Sequence, residues 1–230
     1  MPILKDDIPL GTAVEDYAKA IYALQTRAPG ETVTTNALAA RLGVTAGSAS
    51  AMLKKLDGLG LVTHEPYRGV QLTDAGERVA LEVLRHHRLL ELFLMQELGL
   101  PWDRVHAEAE VLEHVLSEEL EALIAAKLGD PTHDPHGDPI PTCDGHIVAA
   151  ETRSLDTLDA GTGGTFVRIS DSDPEMLRYL DARGIRPGDG FEVVEKQPFG
   201  GPTFARFGEN EQIHVLGGDL ARAMRVEAVR

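Results

Sequence analysis

Five residues capable of binding a metal recur at close intervals in His106-Ala107-Glu108-Ala109-Glu110-Val111-Leu112-Glu113-His114, and four of them fall at helical spacing. His106, Glu110, Glu113 and His114 occupy positions i, i+4, i+7 and i+8. On a helix they share one face, because side chains three or four residues apart lie above one another. Imidazole nitrogens and carboxylate oxygens gathered in this way form a ligand set for a divalent cation. His87 and Glu91 repeat the i, i+4 spacing on the preceding apolar stretch. Carboxylates crowded together repel one another, and a dication relieves that repulsion.

The charge distribution agrees with this reading. The 230 residues carry a formal net charge of −15, of which −10 falls in residues 81–153 and only −1 in residues 1–80. A near-neutral N-terminal region is compatible with nucleic acid; the acid lies where the ligand pattern lies. Most of these acids are expected to be solvated helix faces. Hydrophobic residues make up 43% of the chain, enough for ordinary cores, and no apolar run approaches a membrane span of about 18 residues. The first residues, MPILKDDIPLG, lack the basic-then-apolar order of a secretory signal. Cys143 is the single cysteine, so no internal disulfide is expected, and a cytoplasmic protein is the simplest reading.

These residues must be positioned by a set of elements that the sequence outlines. Residues 12–28 have apolar positions at helical spacing (Val14, Tyr17, Ala18, Ile21, Leu24), and Pro29-Gly30 ends that helix. Residues 34–42 form a short helix, Gly43-Val44-Thr45 a tight turn, and 46–58 a second helix, which together make a helix-turn-helix. Residues 61–65 and 70–73 flank the turn Pro66-Tyr67-Arg68-Gly69 and predict a hairpin wing. Residues 75–98 form one long helix whose second half is too apolar for a lone solvent-facing helix, so it must pack on other helices or on a second copy. Helices over 103–116 and 118–128 follow, the latter capped by Ser117. Residues 129–146 are rich in Pro, Gly, Asp and His and predict a linker or extended loop. From about residue 154, short β-type runs (GTFVRIS, GFEVVE, FARF, QIHVLG) surround one helix, PEMLRYLDARG, and suggest a small β-barrel.

The second helix of the helix-turn-helix is the expected recognition helix. Its start, Thr45-Ala46-Gly47-Ser48-Ala49-Ser50-Ala51, offers small hydroxyls and methyls, with Lys54 and Lys55 beyond. Thr45, Gly47, Ser48, Ser50, Ala51 and Lys54 are the candidate DNA contacts, with Arg68 at the wing tip and Arg41 on the preceding helix. Such residues reach phosphates and thymine methyls but provide little bidentate base readout, so specificity is expected to lean on DNA shape and half-site spacing. His133 and His136 are expected to be solvent-exposed histidines of a proline-rich turn; the alternative is that they join Asp134 in a third metal site. Cys143 reads as a lone thiol, His64 and His146 lack partners, and His214 reads as packed or exposed within a strand. A metal-dependent hydrolase is the distant alternative: against it, the ligands fill a coordination sphere, with no evident general base, nucleophile motif or phosphate loop. No small organic substrate is expected.

The stretches His87-Arg88-Leu89-Leu90-Glu91, Val105 to His114, His136-Gly137-Asp138-Pro139-Ile140-Pro141, Gly184 to Gly188 and Pro198 to Pro202 occur in an order that resembles one family. It is the metal-dependent repressors typified by the diphtheria toxin repressor and the manganese transport regulator, in their three-domain form. The resemblance covers nearly the whole chain. It implies an α+β protein: a winged helix-turn-helix over 1–75, an all-α metal-binding and dimerisation domain over 76–146, and an SH3-like (FeoA-like) barrel over 154–230. It also implies a homodimer that binds a double-stranded DNA operator and represses metal-uptake genes. By resemblance the primary metal site falls on Asp16, Glu110, Glu113 and His114. The ancillary site falls on His87, Glu91 and His106, completed by a ligand from the segment Asp171-Ser172-Asp173-Pro174-Glu175, with Asp173 or Glu175 weakly preferred. Iron-responsive members of the family have a thioether and a thiol where this chain has Asp16 and Glu110. Hard oxygen ligands favour Mn²⁺, with Fe²⁺ the alternative co-repressor. Lys19 stands where the short, two-domain manganese members carry a second acid, which argues against a closely spaced two-metal centre of their kind.

Overall fold

The computed structural model describes residues 10–28, 30–65, 68–209 and 212–229. Pro29, expected to end the first helix, and Pro66 and Tyr67 of the wing turn lie outside the described residues. The chain divides into two compact units: 1–86 with 113–116 and 141–146, and 87–112 with 117–140 and 147–230.

The first unit opens with α1 (Thr12–Arg27), α2 (Thr35–Leu42) and α3 (Ala46–Gly58). Thr34 and Thr45 cap α2 and α3, their hydroxyl oxygens accepting from the amides of Ala37 and Ser48 at 3.1 Å. Gly43 closes α2 in the left-handed conformation, φ 65°. The apolar stripe of α1, Val14, Tyr17, Ala18 and Ile21, is buried with Leu38, Ala49, Leu53 and Leu56. Strands β1 (Val62–Glu65) and β2 (Gly69–Leu72) pair antiparallel as the expected hairpin, and Val33 bridges to Val70 as a third short partner. The next helix, α4 (Asp74–Gln96), gives its first half to this unit and its second half to the other.

In the second unit the apolar positions of α4 are covered: Leu89, Leu90, Leu92 and Leu94 are buried. Then come α5 (Val105–Leu112) and α6 (Glu118–Lys127). The single helix expected over 103–116 is therefore corrected. It stops at Leu112, and Glu113–Val115 form a turn. The Glu113 carbonyl accepts from His86 Nδ1 at 3.1 Å, and Ser117 Oγ, accepting from Leu120 N at 3.3 Å, starts the next helix. Carbonyls at the end of a helix need such outside donors, and the capped restart at Ser117 leaves no room for another helical turn.

The C-terminal part is a six-stranded antiparallel sheet: β3 (Arg153–Ser154), β4 (Gly163–Ile169), β5 (Gly190–Lys196), β6 (Thr203–Phe207), β7 (His214–Leu216) and β8 (Met224–Val229). The strand order is β3-β8-β4-β5-β6-β7, with α7 (Pro174–Asp181) and α8 (Gly218–Ala223) beside it. Sequence reasoning missed β3, α8 and β8, although MRVEAV alternates in burial at its start as a half-buried strand should. Phe166, Ile169, Leu177, Leu180, Val193 and Met224 fill the core. No helix among the described residues is long and apolar enough to cross a membrane.

Residues 129–146 carry no regular element, as expected, yet part of the segment is tightly held. The amide of Ile169 donates to the His136 carbonyl at 2.9 Å, and Gly137 lies so close to β4 that a Cβ on it would sit 1.9 Å from the Val167 carbonyl oxygen, at φ +86°. Only glycine fits that approach. Gly137→Ala should cost about 2–4 kcal/mol and lower the melting temperature by roughly 5–15 °C, measured by circular dichroism. An unchanged melting curve would mean that the loop relaxes away from β4.

Candidate metal centres and DNA-facing surface

In the first unit, α1 and the Glu113–His114 turn bring together Asp16, Glu113 and His114, whose donor atoms lie within 4.8 Å of one another. His114 Nε2 is 3.0 Å from Asp16 Oδ1 and 3.5 Å from Glu113 Oε1. His114 Nδ1–H donates to Glu15 Oε2 at 2.6 Å. That bond holds the ring with Nε2 on the side of the two carboxylates, the kind of outer carboxylate support usual for a metal-ligating histidine. Glu15 was not foreseen: adjacent helical residues point about 100° apart, so its role beside Asp16 is set by the turn that meets α1. Glu113 is buried at 1% exposure, and Lys19 Nζ donates to both its oxygens at 2.7 and 2.8 Å. The ammonium thus balances a buried charge that could not stand alone.

In the second unit, α4 supplies His87 and Glu91, α5 supplies His106, and the β4–α7 connection supplies Asp171. His87 Nε2 donates to Glu91 Oε1 at 3.0 Å and lies 3.1 Å from His106 Nδ1. His106 Nδ1 is 3.3 Å from Glu91 Oε1 and 2.7 Å from Asp171 Oδ2. The acidic segment thus contributes Asp171, which corrects the preference for Asp173 or Glu175. Asp173 Oδ1 is engaged as the N-cap of α7, accepting from the amides of Glu175 and Met176, and Glu175 is an exposed first-turn residue. A carboxylate that caps a helix beside Pro174 follows ordinary capping rules, which the sequence did carry. Glu110 Oε1 stands 3.7 Å from His87 Nδ1 and 3.8 Å from His106 Nε2.

A further group in this unit, Glu91, Asp134 and His136, corrects the expectation of an exposed histidine turn. His136 is 1% exposed; His133 alone of that pair is at the surface. Asp134 Oδ1 accepts from the amides of His136 and Asp138 at 2.8 and 3.0 Å. His136 Nε2–H donates to the Trp102 carbonyl at 2.8 Å, while its buried Nδ1 has no hydrogen-bond partner and lies 3.7 Å from Glu91 Oε2. His214, expected to be packed or exposed, is buried against Phe207. Cys143 is exposed, and His146 pairs only loosely with Asp144 at the surface.

Protonation follows from these contacts. Burial pushes the Glu91 carboxyl up, but hydrogen bonds from His106 and His87 and the nearby His136 ring overrule it and hold the group well below the usual carboxylate range. His106 is pushed up to about 10, chiefly by its hydrogen bond to Asp171 and then by Glu91. Burial works against a charged His136, yet Glu91 and Asp134 raise it to about 9. Burial, then the charges of Glu91 and Asp138, raise Asp134 to about 8. The metal-free cluster is thus a protonated hydrogen-bond network, and a cation at the His87, Glu91, His106 and Asp171 atoms must displace the His106 proton. The proton on His106 stabilises the metal-free fold fully below pH about 6.5, and that contribution is lost as pH rises toward about 10. Across the same window, affinity for Mn²⁺ at this cluster should increase, with about one proton released per ion at pH 7. Calorimetric titration in two buffers of different ionisation enthalpy reads that number, and a value near zero would refute the assignment of His106.

At the N-cap and on α3, Thr45, Gly47, Ser48, Ala51 and Lys54 are exposed, as are Arg41 on α2 and Arg68 in the wing turn. Two expectations need adjustment. The Thr45 hydroxyl is engaged as the helix cap and lies 3.0 Å from Ser48 Oγ, and Ser50 is only partly exposed. The N-cap position and the inward turn of the α3 surface at Ser50 set these limits.

A winged helix-turn-helix in one chain with clustered imidazole and carboxylate donors defines a metal-responsive DNA-binding regulator. Three family descriptions match along the chain: the iron-dependent repressor N-terminal DNA-binding domain at residues 9–70, the iron-dependent repressor metal-binding and dimerisation domain at 73–142, and the FeoA domain at 153–228. The chain belongs to the iron-dependent repressor family, the family of the diphtheria toxin repressor. It is 32% identical over 227 residues to the iron-dependent repressor IdeR of Mycobacterium tuberculosis H37Rv, covering 94% of this chain and 96% of that one. It is 31% identical over 224 residues to the diphtheria toxin repressor of Corynebacterium diphtheriae, covering 93% and 96%. A solved manganese-dependent transcriptional repressor in complex with manganese superposes with a TM-score of 0.85 at 44% identity, covering 94% of this chain and all of that one. The manganese regulator SloR superposes at 0.71 with 29% identity, covering 93% and 97%. The chain is accordingly a metal-dependent transcriptional repressor of this type and not an enzyme.

Proposed function

We propose that this protein is a homodimeric repressor that uses Mn²⁺ as co-repressor and binds operators of metal-uptake genes. The observation that carries the choice of metal is the chemistry of the donors. Asp16, Glu113 and His114 in one cluster, and His87, Glu91, His106 and Asp171 in the other, present only oxygen and nitrogen. Hard carboxylate donors suit Mn²⁺, and the single thiol, Cys143, belongs to neither cluster. The 44% identical manganese-dependent repressor supports this reading, and the iron-dependent relatives keep Fe²⁺ as the second. Glu110 is the proposed fourth ligand of the primary centre. Asp134 and His136 are proposed to extend the second centre through their shared partner Glu91. The division into functional domains at 1–75, 76–146 and 154–230 is supported by the three matched ranges. Leu98, Val111, Leu120 and Leu123, exposed apolar residues within the span matched to the dimerisation domain, are the proposed surface covered by a second copy.

With metal bound, Asp16 on α1 is held to the Glu113–His114 turn. We infer that this selects the arrangement in which the α3 helices of a dimer enter successive major grooves of the operator. The coupling must be reciprocal, so operator DNA tightens Mn²⁺ binding by the same factor. A selection on fragmented genomic DNA with Mn²⁺, with Fe²⁺ and with chelator tests the function. Retention only with Mn²⁺ is expected; equal retention in chelator would overturn metal gating, and retention with Fe²⁺ alone would exchange the metal. On the operator so obtained, Asp16→Ala should weaken Mn²⁺-dependent binding at least about tenfold while sedimentation shows an intact dimer. A variant as metal-dependent as the parent would remove Asp16 from the centre.

The acidic net charge makes the exposed cations of the first unit count individually. Lys54→Ala should weaken operator and non-specific binding alike and reduce the slope of log K against log salt by about one per subunit contact. Fluorescence anisotropy across a salt series reads the slope, and an unchanged slope excludes Lys54 as a phosphate contact.

A further inference from the structure

We propose that Trp102, with Arg186 against its ring, is a positioning residue for the second metal centre and couples that centre to the C-terminal sheet. The proposal rests on the reading of that centre given above. Trp102 is the chain's single tryptophan and lies in the connection between α4 and α5, yet its side chain is 2% exposed and belongs to the core of the six-stranded sheet, among Leu155, Phe166 and Ile185. The Arg186 guanidinium carbon sits 4.1 Å from the ring centroid, a cation–π distance. The His136 imidazole stacks on the same ring at 5.7 Å and 20°.

The backbone of Trp102 matters as much as the ring. Its carbonyl can only accept, so the 2.8 Å contact requires the proton of His136 to be on Nε2. Nδ1 is then the nitrogen left for a cation, which takes the place of any proton held there. That nitrogen is buried without a hydrogen-bond partner, 3.7 Å from Glu91 Oε2. Buried polar atoms are rarely left so, and a cation shared with Glu91 gives this one a purpose. The histidine is fixed on other sides as well: its amide donates to Asp134 Oδ1, and its carbonyl accepts from Ile169, two residues before Asp171. The stacked ring therefore sets the imidazole plane, the carbonyl sets the tautomer, and Arg186 ties both to the sheet that supplies Asp171. Outer partners of this kind typically alter metal affinity 10–100-fold without touching the ion.

The test uses the full chain in an Asp16→Ala background, which isolates the second centre, with Mn²⁺ as the probe. Bound ion is measured by equilibrium dialysis and Trp102 emission is followed in the same titration. The parent should bind Mn²⁺ with an emission change that tracks occupancy. Arg186→Gln should weaken binding about tenfold, and Arg186→Lys, which keeps a cation near the ring, should recover part of the loss. Trp102→Phe should weaken binding similarly; if it does not fold by circular dichroism, the Arg186 pair carries the test, since that side chain is 41% exposed. If no ion binds in the background, the centre itself is wrong and the proposal falls with it. If Mn²⁺ binds and His136→Ala loosens it, but the Arg186 variants match the parent, the centre stands and the positioning role is overturned.

Discussion

A carboxylate cannot be buried alone, and Glu91 is buried at 1% exposure. Much of the second unit can be understood as the answer to that constraint. An ionised carboxyl in a low-dielectric interior demands donors on every side. Here they come from separate stretches of chain: His87 from the preceding turn of α4 and His106 from α5, with the His136 ring of the loop before the sheet 3.7 Å away. Asp171 then faces His106 from the β4–α7 connection. Segments remote in sequence are drawn to one point because a single charge has to be satisfied there. The same point is where a divalent cation finds converging oxygen and nitrogen.

The first unit solves the same problem with a permanent cation. Glu113 is as buried as Glu91, and the Lys19 ammonium bridges its two oxygens. Beside it, Glu15 orients His114 so that Nε2 faces Asp16. The two clusters therefore differ in kind. One is a proton-laden network in which a metal competes with protons; the other is an ion-paired carboxylate beside an imidazole held by a second carboxylate.

Local patterns carried the DNA-binding half. The capping threonines, the left-handed Gly43 and the 3.6-residue stripe of α1 are short-range chemistry, and α3 begins and ends where its sequence says. The apolar second half of α4 announced that it would be covered, and it is. The motif that seemed most regular was the one that broke: His106, Glu110, Glu113 and His114 have perfect helical spacing, yet the helix ends at Leu112 because Ser117 restarts the chain and His86 takes the Glu113 carbonyl.

The sequence by itself determined the donor types, their approximate partners within a helix, the winged helix and the family, since each depends on residues near in the chain or on motifs in order. Only the tertiary structure decided that Asp171 and not Asp173 or Glu175 faces His106, that Glu15 and Lys19 flank the Asp16 cluster, and that His136 is buried beneath Trp102. Those outcomes turn on contacts between residues tens of positions apart. Their geometry is set by strand register, by the close approach of Gly137 to β4 and by the need to pair buried charge, none of which has a local signature in the sequence.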